Sequence, residues 1–205
     1  MSSNLVITIG REYGSGGRAI AKRLSEIMNI KMYDKELITI AAKNFGLSEE
    51  FLHDIDETAS NSFLYALSTG SYSHNATMLA GPHSLPLTDK AFIACSQVIK
   101  NLAESESCII VGRCADSVLA SHENLFTVFI HADIKERAKR ISEFEKISLN
   151  NAINIIKKED RKRAYYHNNY SETKWGNSKS YDLCINSRVG IDTAAELIKF
   201  AVSNK

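Results

Sequence analysis

The chain has 205 residues, 44% of them apolar and 24% charged, with a formal net charge of +1. That length suits one sizeable α/β domain with a small lid and is short for two ordinary domains. Near-neutral charge excludes a global field that would hold the protein on a nucleic acid polymer or an anionic membrane, so any basic site must be local.

No apolar run approaches the roughly 20 residues of a membrane span, and the N-terminus reads straight into a strand, which predicts a cytoplasmic protein. Cys95, Cys108, Cys114 and Cys184 lack CxxC spacing, and the six histidines lack HExxH or HxH spacing, so buried thiols are expected and no metal site.

In chain order, Leu5-Val6-Ile7-Thr8-Ile9 predicts a first strand. Gly10-Arg11-Glu12-Tyr13-Gly14-Ser15-Gly16-Gly17-Arg18 follows, and Ile20, Leu24, Ile27 and Met28 then mark one face of a helix. A strand, a glycine-rich turn and a helix in that order build an anion site. The glycines let several N–H groups face inward, and the helix start adds partial positive charge. Phosphate suits such a nest best. Ile30–Tyr33 predicts a short second strand ending at Asp34. Helical patterns follow at 36–44, 48–55 and 61–68, and the stretch 68–87, which holds Pro82 and Pro86, predicts a loop.

A helix is expected over 89–103, then the strand Cys108–Val111, which stops at Gly112-Arg113. Leu125–Ile130 predicts another strand, 133–143 a charged helix and 148–166 a long helix dense in lysine and arginine. Leu183–Asn186 is the last expected strand and 191–202 the closing helix. Short apolar strands alternating with helices imply a parallel sheet covered on both faces. Ligands in such sheets sit beyond the carboxyl ends of strands, which gathers Gly10–Arg18, Asp34 and Gly112-Arg113 around one cleft.

The loop admits three readings. Aligned to GxxxxGK[S/T], with the final glycine on Gly16, it places Gly17 where lysine belongs, Arg18 where the magnesium-binding hydroxyl belongs and Arg11 at the first glycine. The backbone donors of Gly14, Ser15, Gly16, Gly17 and Arg18 remain, and Arg18 is the nearest cation able to stand in for the lysine. The loop also spells GxxxGxG, and Tyr170 to Lys174 spells the YxxxK of short-chain dehydrogenases. That pair needs a helix, yet it runs into Trp175-Gly176-Asn177. The third reading is a turn that binds nothing, against which stands the entropic cost of four glycines in eight residues.

Arg113 projects at the end of a buried strand and reads as a phosphate clamp, the alternative being a surface arginine paired with Asp116. In the basic stretch Arg137, Lys139, Arg140, Lys157, Lys158, Asp160, Arg161, Lys162, Arg163, the lysines read as a solvated face. Asp160 could orient one neighbouring arginine while others meet an anion, as phosphoryl transfer requires. Arg161 and Arg163, two residues apart, would lie about 200° apart on an unbroken helix, so only one could face a given phosphate. Tyr165, Tyr166, Tyr170 and Trp175 read as packing residues.

Together these segments resemble the cytidylate-kinase-like family of P-loop nucleoside monophosphate kinases. The matches are Ile7–Arg18, Tyr33-Asp34-Lys35-Glu36, Ile110-Val111-Gly112-Arg113, Asp160-Arg161-Lys162-Arg163, Trp175-Gly176 and Tyr181-Asp182-Leu183. The resemblance implies a single P-loop domain with a five-stranded parallel sheet of order 2-3-1-4-5. It implies an acceptor-binding insertion near 36–87 and a helical lid near 145–175. The implied reaction moves the γ-phosphoryl of ATP, with Mg²⁺, to CMP or a related small acceptor. Gly14, Ser15, Gly16, Gly17 and Arg18 would hold ATP, with Asp34, Arg113 and Asp160 on the acceptor. Arg18, Arg161 and Arg163 would serve catalysis. The chain departs from the family pattern at Cys114, where aspartate is expected after Gly-Arg, and at the missing loop lysine and hydroxyl. Those losses define a rival, a nucleotide-binding regulator that kept the nest and gave up turnover.

Overall fold

The computed structural model describes residues 3–34, 37, 39–40 and 87–205. The predicted helices at 36–44, 48–55 and 61–68, the loop at 68–87 and the expected insertion fall outside these residues, apart from Leu37, Thr39, Ile40 and Leu87. The chain divides into two compact units, Met1–Asp34 with Lys100–Lys205, and Lys35–Ile99. The candidate site described below lies in the first.

The apolar runs form five strands: β1 (Val6–Arg11), β2 (Lys31–Tyr33), β3 (Cys108–Val111), β4 (Leu125–His131) and β5 (Leu183–Asn186). They pair in parallel in the order β2-β3-β1-β4-β5, as expected. Six helices are described: α1 (Gly17–Met28), α2 (Leu87–Ser105), α3 (Ala115–Val118), α4 (Ile134–Glu145), α5 (Leu149–Tyr170) and α6 (Ile191–Ser203). The sequence missed the short α3 and stopped α5 four residues early, at Tyr166 instead of Tyr170.

The main core joins Ile7, Ile9, Val128, Ile130 and Ile185 of the sheet to Ile20, Ala21 and Leu24 of α1 and Ala194, Ala195 and Ile198 of α6. Each large aliphatic side chain buried there contributes about 1.5–3 kcal/mol of transfer free energy. Ala138 and Ile141 of α4 pack with Ala152 and Ile156 of α5 in a second cluster, against which Tyr13 of the glycine loop is laid. Side-chain caps start both helices: Asp133 accepts from the Lys135 N–H, and Ser148 accepts from that of Asn151. The α4–α5 pair is thereby seated on the loop by apolar contact, and this brings its arginines to the carboxyl end of the sheet.

Candidate phosphate-binding site

β1 outruns its neighbour. Ile9 is its last residue opposite β3, while Gly10 and Arg11 pair only with Phe129 and Ile130 of β4. The chain then turns and enters α1 through Gly16, whose φ of 85° and ψ of 4° are left-handed and favour glycine.

Three arginines from later in the chain engage the carbonyls of this turn. Arg163 Nη1 donates to the Arg11 oxygen at 3.0 Å, Arg137 Nη1 to that of Tyr13 at 3.2 Å and Arg140 Nη1 to that of Gly14 at 3.2 Å. Asp160 accepts from the Tyr13 N–H at 2.7 Å, and its other oxygen lies 2.5 Å from Arg137 Nη1. Glu12 accepts from the Ala132 N–H at 3.0 Å and so ties the turn to the end of β4. Among the described residues no acceptor takes the N–H groups of Gly14, Gly16 or Arg18, and Ser15 and Gly17 donate only within the loop, each at 3.3 Å. Engaged carbonyls and unclaimed amides at a helix start make an anion nest.

Asp34, just past β2, is buried and draws two arginines: Arg18 Nε at 2.9 Å and Arg11 Nη2 at 3.4 Å. Arg113 sits in a turn whose three successive residues, Gly112, Arg113 and Cys114, have φ of 75°, 57° and 57°. The left-handed conformation costs each of the two non-glycine residues about 1–2 kcal/mol, and such strain collects at functional turns. α5 holds this turn in place. His167 Nε2 lies 2.7 Å from the Asp116 carboxylate, and Cys114 Sγ lies 3.9 Å from the His167 carbonyl oxygen. Asp116 therefore serves His167. Burial pushes the Cys114 thiol up to about 12, which keeps it protonated and unreactive at neutral pH.

Arg11 is the electrostatic centre. Burial first, then Arg163, with Arg113 and Arg18 adding, push its pKa down to about 9 against the opposing pull of Asp34. Burial also lowers Arg163, with Asp160 and Glu159 opposing. Arg11 stays charged at neutral pH. Because the native pKa of Arg11 lies below its unfolded value, the cost of keeping it charged is in full force below about pH 9 and fades only above it. A bound polyanion relieves that cost. Pyrophosphate at 100 times its Kd is expected to stabilise the fold by about 2.7 kcal/mol, or roughly 5–10 °C in Tm. Differential scanning fluorimetry against chloride at matched ionic strength checks this. No excess shift would mean that Asp34 already satisfies the cluster.

The structure brings Gly14, Ser15, Gly16, Gly17, Arg18, Asp34, Arg113 and Arg163 to one end of the sheet. It does not bring Arg161, which lies exposed on an α5 that runs unbroken from Leu149 to Tyr170. Asp160 makes its direct contacts with Arg137 and the loop backbone, while it attracts Arg163 only through space. The aromatic residues pack, Tyr166 on Tyr170 with ring centroids 5.2 Å apart and Trp175 on Phe129 at 5.2 Å. Tyr170 ends α5, so Lys174 is off the helix that the dehydrogenase pair requires.

Sequence reasoning left Arg11, Arg137 and Arg140 out of the site residues, although it named all three. Arg137 carried a signal, since it lies three residues after Ile134 and four before Ile141, on the apolar stripe of α4. A buried stripe position held by arginine points to a paired, structural cation.

The profile of the cytidylate kinase-like family matches residues 6–189. No curated protein matches. Among solved structures, the chain is similar to an uncharacterized protein from Eubacterium ventriosum ATCC 27560, at 32% identity and a TM-score of 0.71, covering 98% of this chain and 100% of that one. It shares its fold with shikimate kinase from Bacteroides thetaiotaomicron, at 11% identity and a TM-score of 0.56, covering 97% of this chain and 98% of that one. It also shares it with the APS kinase of Mycobacterium tuberculosis, at 13% identity and a TM-score of 0.50, covering 99% of each chain. The two kinases carry the five-stranded P-loop architecture by fold alone, whereas the profile match runs from the first strand past the last. The chain belongs to the cytidylate kinase-like family.

Proposed function

We propose that the protein is a phosphotransferase that moves the γ-phosphoryl group of ATP to a nucleoside monophosphate, CMP or a related small acceptor. One observation carries this reading: Arg18, Arg113 and Arg163 all act electrostatically on the buried guanidinium of Arg11, and Arg11 and Arg18 pair with Asp34, in a loop whose Gly14, Gly16 and Arg18 amides no described acceptor takes. So much positive charge, partly out of water, suits several phosphate oxygens at once.

In this reading the Gly14–Arg18 amides hold the ATP phosphates. Arg113 and Asp34 meet the acceptor, and α5 acts as the lid that presents Arg163. An acceptor phosphate oxygen attacks the γ-phosphorus as its bond to the ADP oxygen breaks, and the arginines offset charge on the transferred group. No side chain need become covalently attached. Asp160 acts on the loop and not on the acceptor.

The loop does not fit magnesium in the usual way. Arg18 stands at the hydroxyl position, and the Ser15 hydroxyl already accepts from the Gly17 N–H. Mg²⁺ would arrive with ATP, held by phosphates and water.

The same two positions, Gly17 and Arg18, favour a second reading as a nucleotide-binding regulator without turnover. A panel of nucleoside monophosphates with Mg-ATP, followed by ADP formation and by calorimetric nucleotide binding, separates the two. CMP-dependent ADP release supports the phosphotransferase. Binding without release supports the regulator, and neither binding nor release defeats both.

A further inference from the structure

A Cβ on Gly17 would stand 2.7 Å from Cβ of Arg11 and 3.1 Å from its Cγ, closer than packed carbons tolerate. Side chains at positions 11 and 17 therefore compete for one space. At its far end the Arg11 guanidinium occupies the place that a Cβ on Gly112 would need. Arg11 is threaded between two glycines, from the end of β1 to the strained turn after β3. Its Nη2 lies 3.4 Å from Asp34, the carboxylate that also takes Nε of the loop's Arg18 at 2.9 Å.

We propose that Arg11 is the phosphate-binding cation of this loop, filling from the strand side the role that a lysine at position 17 would fill from the helix, and that Arg11, Gly17 and Gly112 form one interdependent unit. This rests on the phosphotransferase reading, or equally on nucleotide binding without turnover. It turns the missing lysine from a loss into a relocation. Lysine cannot be added at position 17 while Arg11 is present, and Arg11 cannot lie as it does unless positions 17 and 112 lack side chains. The replacement also changes the chemistry. A guanidinium offers a planar fork to two oxygens, where an ammonium offers a point charge. Asp34 holds that fork in register until an anion displaces it.

The test is a reciprocal exchange, read by calorimetric ATP and pyrophosphate binding and by the ligand-induced rise in Tm. Arg11→Met keeps the aliphatic stem against Gly17 and removes the charge. It is expected to weaken ATP binding at least tenfold, about 1.4 kcal/mol, without lowering the Tm of the ligand-free protein. Gly17→Lys alone is expected to lose binding and Tm, because the two stems collide. Arg11→Gly combined with Gly17→Lys is expected to bind ATP at least tenfold better than Gly17→Lys alone, which tests the shared space, while Arg11→Met tests the charge.

The inference is overturned if Arg11→Met binds ATP within twofold of wild type, or if the double substitution is no better than Gly17→Lys. Should Gly17→Lys fail to fold, Arg11→Met against wild type decides. If wild type binds neither ATP nor pyrophosphate, the nucleotide reading falls and takes this inference with it. If wild type binds and Arg11→Met binds equally, only the inference falls.

Discussion

Arg163→Ala is expected to lower kcat of the phosphoryl transfer by about 10²-fold or more, roughly 2.7 kcal/mol, with a much smaller change in ATP affinity. The residue projects from α5 across the mouth of the loop. Its Nη1 donates to the Arg11 carbonyl, and its guanidinium carbon lies 5.3 Å from the centre of the Tyr13 ring. Desolvation has already lowered its pKa, so moving it against a developing phosphoryl charge costs little further reorganisation. Arg161→Ala, two residues away on the same unbroken helix and exposed, is expected to change kcat less than threefold, as for a solvated charge away from the site. Steady-state kinetics of both variants decide the matter. Arg163→Lys separates charge from geometry, since it keeps the cation and loses the fork. Equal losses at positions 161 and 163 would mean that α5 acts through bulk charge, and the lid assignment would be wrong.

That asymmetry between two neighbouring arginines was half visible in the sequence. Helical geometry says that positions 161 and 163 cannot share a target, but it does not say which one faces the loop. The answer depends on the α4–α5 packing, where Ala152 and Ile156 set the rotation of the helix. The sheet was far more legible. Parallel strands buried on both faces read as continuous apolar runs, and Cys108–Val111 is buried at every position. Helix ends were less so, because α5 is prolonged by tertiary ties at His167 and by the Tyr166–Tyr170 ring contact, which local propensity does not report.

The glycine loop could be recognised as an anion site from spacing alone, while its specific chemistry could not. Gly17 reads as a lost lysine until Arg11 is seen lying across it. Asp160 reads as a partner for Arg161 or Arg163 because they are close in sequence. Its cation is Arg137, twenty-three residues away on another helix.

The Arg137–Asp160 pair should also be the most stability-sensitive contact outside the apolar core. Arg137→Met is expected to destabilise the protein by about 3–5 kcal/mol, the usual consequence of leaving a buried charge without its partner. The Arg137 side chain is 7% exposed and that of Asp160 17%, so water can do little to replace the lost cation. The Tyr13 carbonyl loses its donor in the same step. Asp160→Asn should cost less, because the amide oxygen can still accept from the Tyr13 N–H while the charge is gone. If the two residues act as one unit, the double substitution should fall short of the summed single losses by about 1 kcal/mol or more. Urea unfolding with an unchanged m-value measures all three. A loss under about 1 kcal/mol for Arg137→Met would show that the loop is held by the α4–α5 apolar contact alone. The arginines on its carbonyls would then be free to serve the phosphate directly, and Arg137, not Arg163, would become the cation to test next.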